Sequence, residues 1–242
     1  MNLHLIACHV LWRELSYYAS MSPHTFMLTF LRQGLHNTPE KLREQLQETV
    51  NAVSQNGDLD AIVLGYGLCC NGLLGLTAGS KRIVAPRAHD CITFLLGSKE
   101  RYREYFDSHP GTYWYSPGWI ETTSMPSRAR HDKMLIEYTE RFGADDAQYL
   151  VEQEMTWQKT YNNAAYVDLG AGGNDRHKQF TRDCAEWLGW GCDLVEGDAG
   201  LVRDLLDGRW DDDRFLIVEP GMAIAPTYDE KIITLKDNHS KP

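Results

Sequence analysis

The stretch LDAIVL-GYGLCCNG, residues 59–72, decides the fold. Residues 59–64 form a short apolar run, which is typical of a strand buried on both faces of a parallel sheet. The glycine-rich segment 65–72 ends that run abruptly and indicates a tight loop at the end of the strand. Before it, residues 39–53 carry apolar side chains at helical spacing. The local order is therefore helix, strand, loop.

The same rhythm recurs along the chain. Other short apolar runs are followed by glycine or polar turns, at residues 3–7, 82–85, 165–169, 192–196 and 214–219. Short buried strands that alternate with helices predict an α/β fold with mostly parallel sheets and helices on both faces. Because both halves share the rhythm, two pseudo-symmetric Rossmann-like lobes are also compatible with the pattern.

A change in composition suggests where these lobes begin and end. Residues 107–130 hold several Pro-Gly turns and many aromatic residues, and two charged helical stretches follow them. We therefore expect an N-terminal α/β lobe over 1–106, an aromatic and helical connection over 107–162, and a C-terminal α/β lobe over 163–242.

Charge and hydropathy exclude several classes of protein. The 242 residues carry a formal net charge of −10, which argues against a nucleic-acid partner or an anionic membrane surface. No apolar run reaches the roughly 18–20 residues that span a bilayer. The first residues lack the basic segment of a signal peptide, and six cysteines without a disulfide framework fit a cytoplasmic protein.

Cysteine and histidine residues follow three of the predicted strands. Cys8, Cys69 or Cys70, and Cys91 all lie where a strand ends. The carboxyl ends of parallel strands open on one edge of a sheet, so these side chains are expected to meet. Cys8, Cys70, His89 and Cys91 are the predicted metal ligands, for zinc or an iron–sulfur cluster. Cys70 is favoured over Cys69 only because neighbouring side chains diverge. The alternative to a metal site is that Cys8 and Cys91 are small residues of the core.

The hexapeptide PRAHDC, residues 86–91, is the densest group of reactive side chains. Arg87 is a candidate clamp for an anionic substrate, His89 a candidate ligand or proton carrier, and Asp90 a candidate partner that orients a histidine. The alternative is an ordinary turn in which Asp90 caps the next helix and Arg87 makes a surface ion pair.

Glycine turns provide candidate ligand-binding loops, because they let a backbone approach a ligand closely. The spacing of the dinucleotide-binding fingerprint is absent. The candidate cofactor-binding residues in these loops and at the strand ends are Gly65, Gly67, Asn71, Gly72, Gly170, Gly172 and Asp198.

Several longer motifs resemble one known family. They are ACHVLWREL (7–15), GYGLCCNG (65–72), PRAHDCIT (86–93) and PGTYWYSPGW (110–119), with GD (197–198) and FLIVEPG (215–221) near the C-terminus. Together they resemble domain of unknown function 1638, over most of the chain. That family has no settled activity, but the resemblance implies a link to corrinoid-dependent methyl transfer and, as partners, corrinoid methyl-transfer proteins.

Three functions follow as hypotheses. The first is a metal-dependent transferase that acts on a small, anionic molecule, in which zinc held by cysteines activates a substrate thiol for one-carbon transfer. The second is a non-catalytic module that binds a corrinoid, folate or nucleotide through the glycine turns. The third is a metal-free enzyme with a nucleophilic Cys70 or Cys91, activated by His9 or His89.

Overall fold

The computed structural model describes residues 1–69 and 71–237. In this part of the chain the strands are β1 (Asn2–Cys8), β2 (Thr25–Leu31), β3 (Ala61–Gly65), β4 (Ile83–Pro86), β5 (Thr112–Tyr115), β6 (Asn163–Asp168), β7 (Gly191–Glu196), β8 (Phe215–Val218), β9 (Met222–Pro226) and β10 (Ile233–Asp237). The α-helices are α1 (Trp12–Met21), α2 (Pro39–Val53), α3 (Cys91–Leu96), α4 (Lys99–Ser108), α5 (Pro117–Thr122), α6 (Arg128–Phe142), α7 (Ala144–Glu154), α8 (Asp175–Leu188) and α9 (Gly200–Leu206). Short 3₁₀ helices cover His9–Leu11, Leu35–Asn37 and Thr156–Thr160.

The chain divides into two compact units. One unit contains Met1–Tyr102 and the chain from Gly197 onward, and the other contains Arg103–Glu196. Each unit has its own parallel sheet, so the predicted α/β class with mostly parallel sheets is confirmed.

The sheet of the first unit has the strand order β2-β1-β3-β4-β8. The first four strands are parallel, and β8 runs antiparallel to β4 at one edge. On one face, Ile6 and Ile62 pack in a cluster with Leu42 and Leu46 of α2. On the other face, α1 packs so closely that a Cβ on Gly65 would lie 2.7 Å from Cδ1 of Leu15. Helices therefore cover both faces, which explains the fully apolar β3.

The first unit also contains a hairpin that the sequence pattern does not reveal. Strands β9 and β10 pair antiparallel, from Met222↔Asp237 to Pro226↔Ile233. Main-chain hydrogen bonds tie this hairpin to the loop after β3, with Gly75 N–H donating to the carbonyl of Ile224 at 2.8 Å.

The second unit has the strand order β5-β6-β7, and all three strands are parallel. Its core packs Cys184 and Ala185 of α8 against Tyr115 and Tyr166 of the sheet. Asn174 begins α8 by accepting hydrogen bonds from the N–H groups of Arg176 and His177. Its side chain thereby satisfies amides at the exposed end of the helix.

These units group the chain differently from the three predicted segments. The aromatic region 107–162 supplies β5 to the second sheet, whereas the predicted lobe over 163–242 is shared between both units. The physical reason is that an apolar run shows that a strand exists but not which neighbour it pairs with. Strand β8, for example, returns to β4 of the first sheet.

Candidate functional site

The carboxyl ends of β1, β3 and β4 lie side by side at one edge of the first sheet. Ala7 pairs with Gly65, and Val63 pairs with Val84, in parallel register. Cys8 is the last residue of β1, Cys69 follows β3, and Cys91 begins α3 after β4. Parallel pairing thus brings the three strand-end loops to the same edge, as the sequence pattern indicates.

The loops after β3 and β4 are bonded directly to each other. The N–H of Leu68 donates to the carbonyl of Ala88 at 2.8 Å, and the N–H of Cys69 donates to the carbonyl of His89 at 3.0 Å. Gly67 permits this approach, because a Cβ at that position would lie 2.7 Å from the backbone nitrogen of Asp90. The glycine is therefore needed for contact between two loops of the protein.

The loop after β3 also holds Tyr66, whose hydroxyl is buried. This side chain is only 3% exposed, and its hydroxyl has no hydrogen-bond partner among the described residues. Burial raises the pKa of Tyr66, and the charges of Cys8, Cys69 and Cys91 raise it further. The charges of the three cysteines thus act on the hydroxyl, but none of the three sulfur atoms is a hydrogen-bond partner of it. We call Tyr66 and these three cysteines the thiol cluster.

The cysteines of the thiol cluster differ in environment. Burial raises the pKa of Cys8, and a backbone hydrogen bond involving Val10 opposes part of that rise. Cys91 is buried, whereas Cys69 is half-buried and has a φ of 45°, in the left-handed region. Cys70 lies outside the described residues, so the preference for Cys70 over Cys69 stays a prediction.

Asp90 holds the start of α3. Its Oδ1 accepts from the N–H groups of Ile92 at 2.9 Å and Thr93 at 3.3 Å, and its Oδ2 accepts from the Tyr102 hydroxyl at 3.0 Å. Burial raises the pKa of Asp90, while these hydrogen bonds and the nearby charge of His89 lower it. Asp90 therefore caps α3, as the second interpretation of the hexapeptide 86–91 predicts. Its catalytic role stays a prediction.

His89 is exposed and lies beside the same tyrosine. Its ring centroid is 6.4 Å from that of Tyr102. Exposure leaves its imidazole accessible to a ligand or substrate at the edge of the sheet. The proposed role of His89 in binding metal or moving protons is still a prediction.

Arg87 is bonded within the protein instead of facing a ligand. It is only 4% exposed, and Nε and Nη2 donate to the backbone carbonyl and carboxylate of Asp212 at 2.9 and 3.0 Å. Nη1 donates to the carbonyls of Lys231, at 3.1 Å, and Ile233. These contacts give Arg87 a structural role, and nothing in them supports the predicted clamp for a substrate anion.

The described residues contain no group of three His, Cys, Asp or Glu side chains arranged to hold a metal ion. Cys8, His89 and Cys91, the three described members of the predicted ligand set, therefore do not form such a group by themselves, and neither do the three cysteines of the thiol cluster. The fourth member, Cys70, is not described.

Gly65, the last residue of β3, and Gly72, in the loop after it, also lie against protein atoms. A Cβ on Gly65 would lie 2.5 Å from Cβ of Ala7, and one on Gly72 would lie 2.5 Å from Cδ2 of Leu42. Asn71 has a φ of 70°, which its side chain tolerates better than most. Close packing explains these residues without a ligand, and their predicted cofactor-binding role is untested.

The remaining candidates lie in other loops. Gly170 and Gly172 follow β6 in the second unit with φ values of 72° and 100°, and the N–H of Gly170 donates to Oδ1 of Asp168 at 2.7 Å. Asp198, in the first unit, accepts from the N–H of Gly200 at 2.7 Å and packs against Gly97. Each carboxylate thus organises its own turn, and cofactor binding by these residues stays a prediction.

The family profile described as "Protein of unknown function (DUF1638)" matches residues 30–206, nearly three quarters of the chain. The chain belongs to this family. The resemblance seen in the sequence motifs is therefore confirmed. Neither the curated proteins nor the solved structures include a match to this DUF1638 protein. Among the described residues, no helix combines the length and the apolar character needed to cross a bilayer.

Sequence reasoning missed Tyr66 and Tyr102. Tyr66 stands directly after the buried strand β3, between two glycines that let the loop fold back on the sheet. An aromatic residue at the end of a central strand is the signal that could have identified it. Tyr102 gave no local signal, because it reaches Asp90 from α4, twelve positions along the chain.

Proposed function

We propose that this DUF1638 protein is a metal-dependent enzyme that acts on a small molecule through a cysteine-ligated centre at the thiol cluster. The observation that carries the proposal is the parallel pairing of β1, β3 and β4, which brings the loops that hold Cys8, Cys69 and Cys91 to one edge of the sheet. Buried polar groups in proteins nearly always have a partner, so the unsatisfied hydroxyl of Tyr66 in the loop after β3 supports a site at this edge that a bound group completes.

The donor set suits a soft metal. Thiolate sulfur selects zinc or an iron–sulfur cluster over magnesium or calcium, and an imidazole can take a remaining position. Cys8, Cys70 and Cys91 would supply sulfur, with His89 as the exposed fourth ligand. When bound, zinc lowers the pKa of a coordinated thiol and makes it a better nucleophile.

The protein's own residues would prepare this centre. Burial keeps the thiol of Cys8 protonated in the absence of metal, so ligation requires the loss of a proton. The Tyr66 hydroxyl would donate a hydrogen bond to a thiolate of the cluster, which gives the buried O–H a partner. Transfer of a one-carbon group to a substrate thiol is the reaction class that we propose, with corrinoid methyl-transfer proteins as partners. Because Arg87 is occupied, the proposal no longer requires an anionic substrate.

Metal analysis of protein purified without oxygen tests the proposal. We expect a stoichiometric metal, colourless for zinc or brown with visible absorption for an iron–sulfur cluster. Cys8→Ser and Cys91→Ser should each lose most of it. Cys192→Ser is the matched control, because Cys192 is exposed and lies in the second unit. Metal-free wild-type protein, or full metal content in both cluster variants, would refute the metal centre.

A metal-free thiol enzyme is the second candidate. Cys91 is the first residue of α3 and follows the exposed His89 by two positions, which favours a nucleophile with a nearby base. This candidate predicts one cysteine in chelator-treated protein that alkylates with a thiol pKa well below 8.5. Uniformly slow alkylation below neutral pH would exclude it.

A further inference from the structure

Strand β2 forms an open edge of the sheet in the first unit. Among the described strands it pairs only with β1, in an unbroken register of seven residue pairs. Its sequence, TFMLTFL, contains no charged residue, glycine or proline. Met27 and Leu28 are 42% and 40% exposed. A long, regular and apolar edge strand is a template on which a strand of another chain can pair.

The main-chain groups on the outer side of β2 have no partner among the described residues. The N–H of Thr25 donates to the carbonyl of Met1 at 3.0 Å, so Thr25 faces the neighbouring strand. Alternate residues of a strand turn their main-chain groups to the same side. Phe26, Leu28 and Phe30 therefore direct their N–H and C=O groups away from β1, toward the open edge.

The other edge strands that the structure describes are protected against such pairing. Strands β5 and β8 have only four residues each. Strand β7 carries Asp193 and Glu196, and β10 carries Lys236 and Asp237. The main chain of Ile224 in β9 is bonded to the loop after β3. Short strands, charged residues and covered edges are the usual means by which proteins prevent edge pairing, and β2 has none of them.

The distribution of charge favours a second copy of this chain as the partner. The net charge of −10 makes two copies repel each other over most of their surface. None of the 34 Asp and Glu residues, however, lies between Glu14 and Glu40, the segment that contains β2. Two copies therefore meet with least repulsion at this strand, whereas a basic partner would be attracted to the acidic remainder of the surface.

We propose that β2 pairs antiparallel with β2 of a second copy, about a twofold axis at Leu28, and joins the two five-stranded sheets. In this register Leu28 lies opposite the partner's Leu28, and Phe26 lies opposite the partner's Phe30. All the outward-facing residues then pair with one another and form about six main-chain hydrogen bonds, two for each pair. No charged side chains oppose each other along the strand. The proposal does not depend on the metal centre proposed above, and its test needs no metal.

Sedimentation equilibrium of the full-length protein tests the proposal. We expect a mass twice the 27.6 kDa of one chain. The expected dissociation constant is about 1–100 μM, because a single strand pair buries less surface than a standard interface. A monomer at about 300 μM would overturn the proposal.

Two substitutions at Leu28 localise the interface. Leu28→Lys places two ammonium groups opposite each other at the twofold axis, and Leu28→Pro removes an N–H that faces the open edge. Each should raise the dissociation constant at least about tenfold. Leu235→Lys is the matched control and should leave it unchanged, because Leu235 is a leucine of similar exposure, 39%, on the edge strand β10. A dimer that persists unchanged in both Leu28 variants would refute the proposal.

Amide hydrogen exchange of the wild-type protein decides the question if neither Leu28 variant folds. Pairing covers the N–H groups of Phe26, Leu28 and Phe30, so residues 25–31 should exchange more slowly about tenfold above the dissociation constant than about tenfold below it. Strand β10 should exchange at the same rate at both concentrations. Exchange over residues 25–31 that does not depend on concentration would contradict pairing through β2.

Discussion

Replacing Tyr66 with phenylalanine tests the thiol cluster most directly. The substitution removes one buried oxygen that has no partner among the described residues and leaves the ring in place. An unsatisfied buried hydroxyl costs about 1–3 kcal/mol, so the free energy of unfolding of metal-free protein should rise by that amount. For a protein of this size, each kcal/mol corresponds to about 2–4 °C in Tm.

Tyr115→Phe is the matched control. Tyr115 is fully buried in the second unit, and its hydroxyl donates to the carbonyl of Pro126 at 3.2 Å. Removing that oxygen leaves a buried acceptor without its donor, so the free energy of unfolding should fall by about 1–3 kcal/mol. The same chemical change is therefore expected to have opposite signs at the two tyrosines.

Urea denaturation and thermal melts with chelator and reductant present measure both variants. Metal content of untreated Tyr66→Phe supplies the second measurement, and we expect it to fall although the metal-free protein becomes more stable. If Tyr66→Phe lowers the free energy of unfolding, as Tyr115→Phe is expected to do, the Tyr66 hydroxyl already has a hydrogen-bond partner in the metal-free protein. Unchanged metal content would remove Tyr66 from the proposed centre.

Three further substitutions probe the loops at this edge of the sheet. Gly67→Ala would place a Cβ 2.7 Å from the backbone nitrogen of Asp90 and should lower the free energy of unfolding by about 1–3 kcal/mol. Gly57→Ala is the control and should not lower it, because a Cβ there would meet no described atom within 4 Å. Arg87→Met should lower the free energy of unfolding by about 2–4 kcal/mol in urea denaturation, because three carbonyls and Oδ1 of Asp212 each lose the donor that Arg87 supplies; a loss below about 1 kcal/mol would contradict the structural role. Burial raises the pKa of Asp90, so the folded protein holds this proton more tightly than the unfolded chain, and stability is lost as pH rises through the folded pKa. Asp90→Asn should keep the helix cap and remove that loss, so its stability relative to wild type should increase as the pH rises above about 4, the ordinary pKa of an aspartate, and a constant difference would refute this account.

The strand that the sequence predicts most clearly is one buried on both faces of its sheet. Residues 61–65 of β3 are all buried, and their uninterrupted apolar run is a strong signal. Strand β2, at the edge of its sheet, is half-exposed along most of its length, and β5 lies in a segment rich in turn residues. Neither has the pattern of a central strand, and both were missed for that reason.

The candidate site was predictable only as far as topology decides it. Because β1, β3 and β4 are parallel neighbours, residues that end them must share an edge, and Cys8 and Cys91 do. The partners of Arg87 could not be predicted, since Asp212 is 125 positions away along the chain. The direction in which a side chain points, and the distant residues that it contacts, depend on packing, which the local sequence does not specify.

The glycines of the loop after β3 have a different meaning from the one that their spacing suggests. Gly67 lets this loop approach the loop after β4, where the N–H groups of Leu68 and Cys69 donate to main-chain carbonyls. That approach bonds Cys69 to His89, two positions before Cys91. The position of Cys69 therefore depends on backbone contacts between the loop over residues 66–82 and the short loop over residues 87–90. Substitutions that loosen these contacts should separate the thiols before they unfold the sheet, and any chemistry that needs several sulfur atoms together should be lost first.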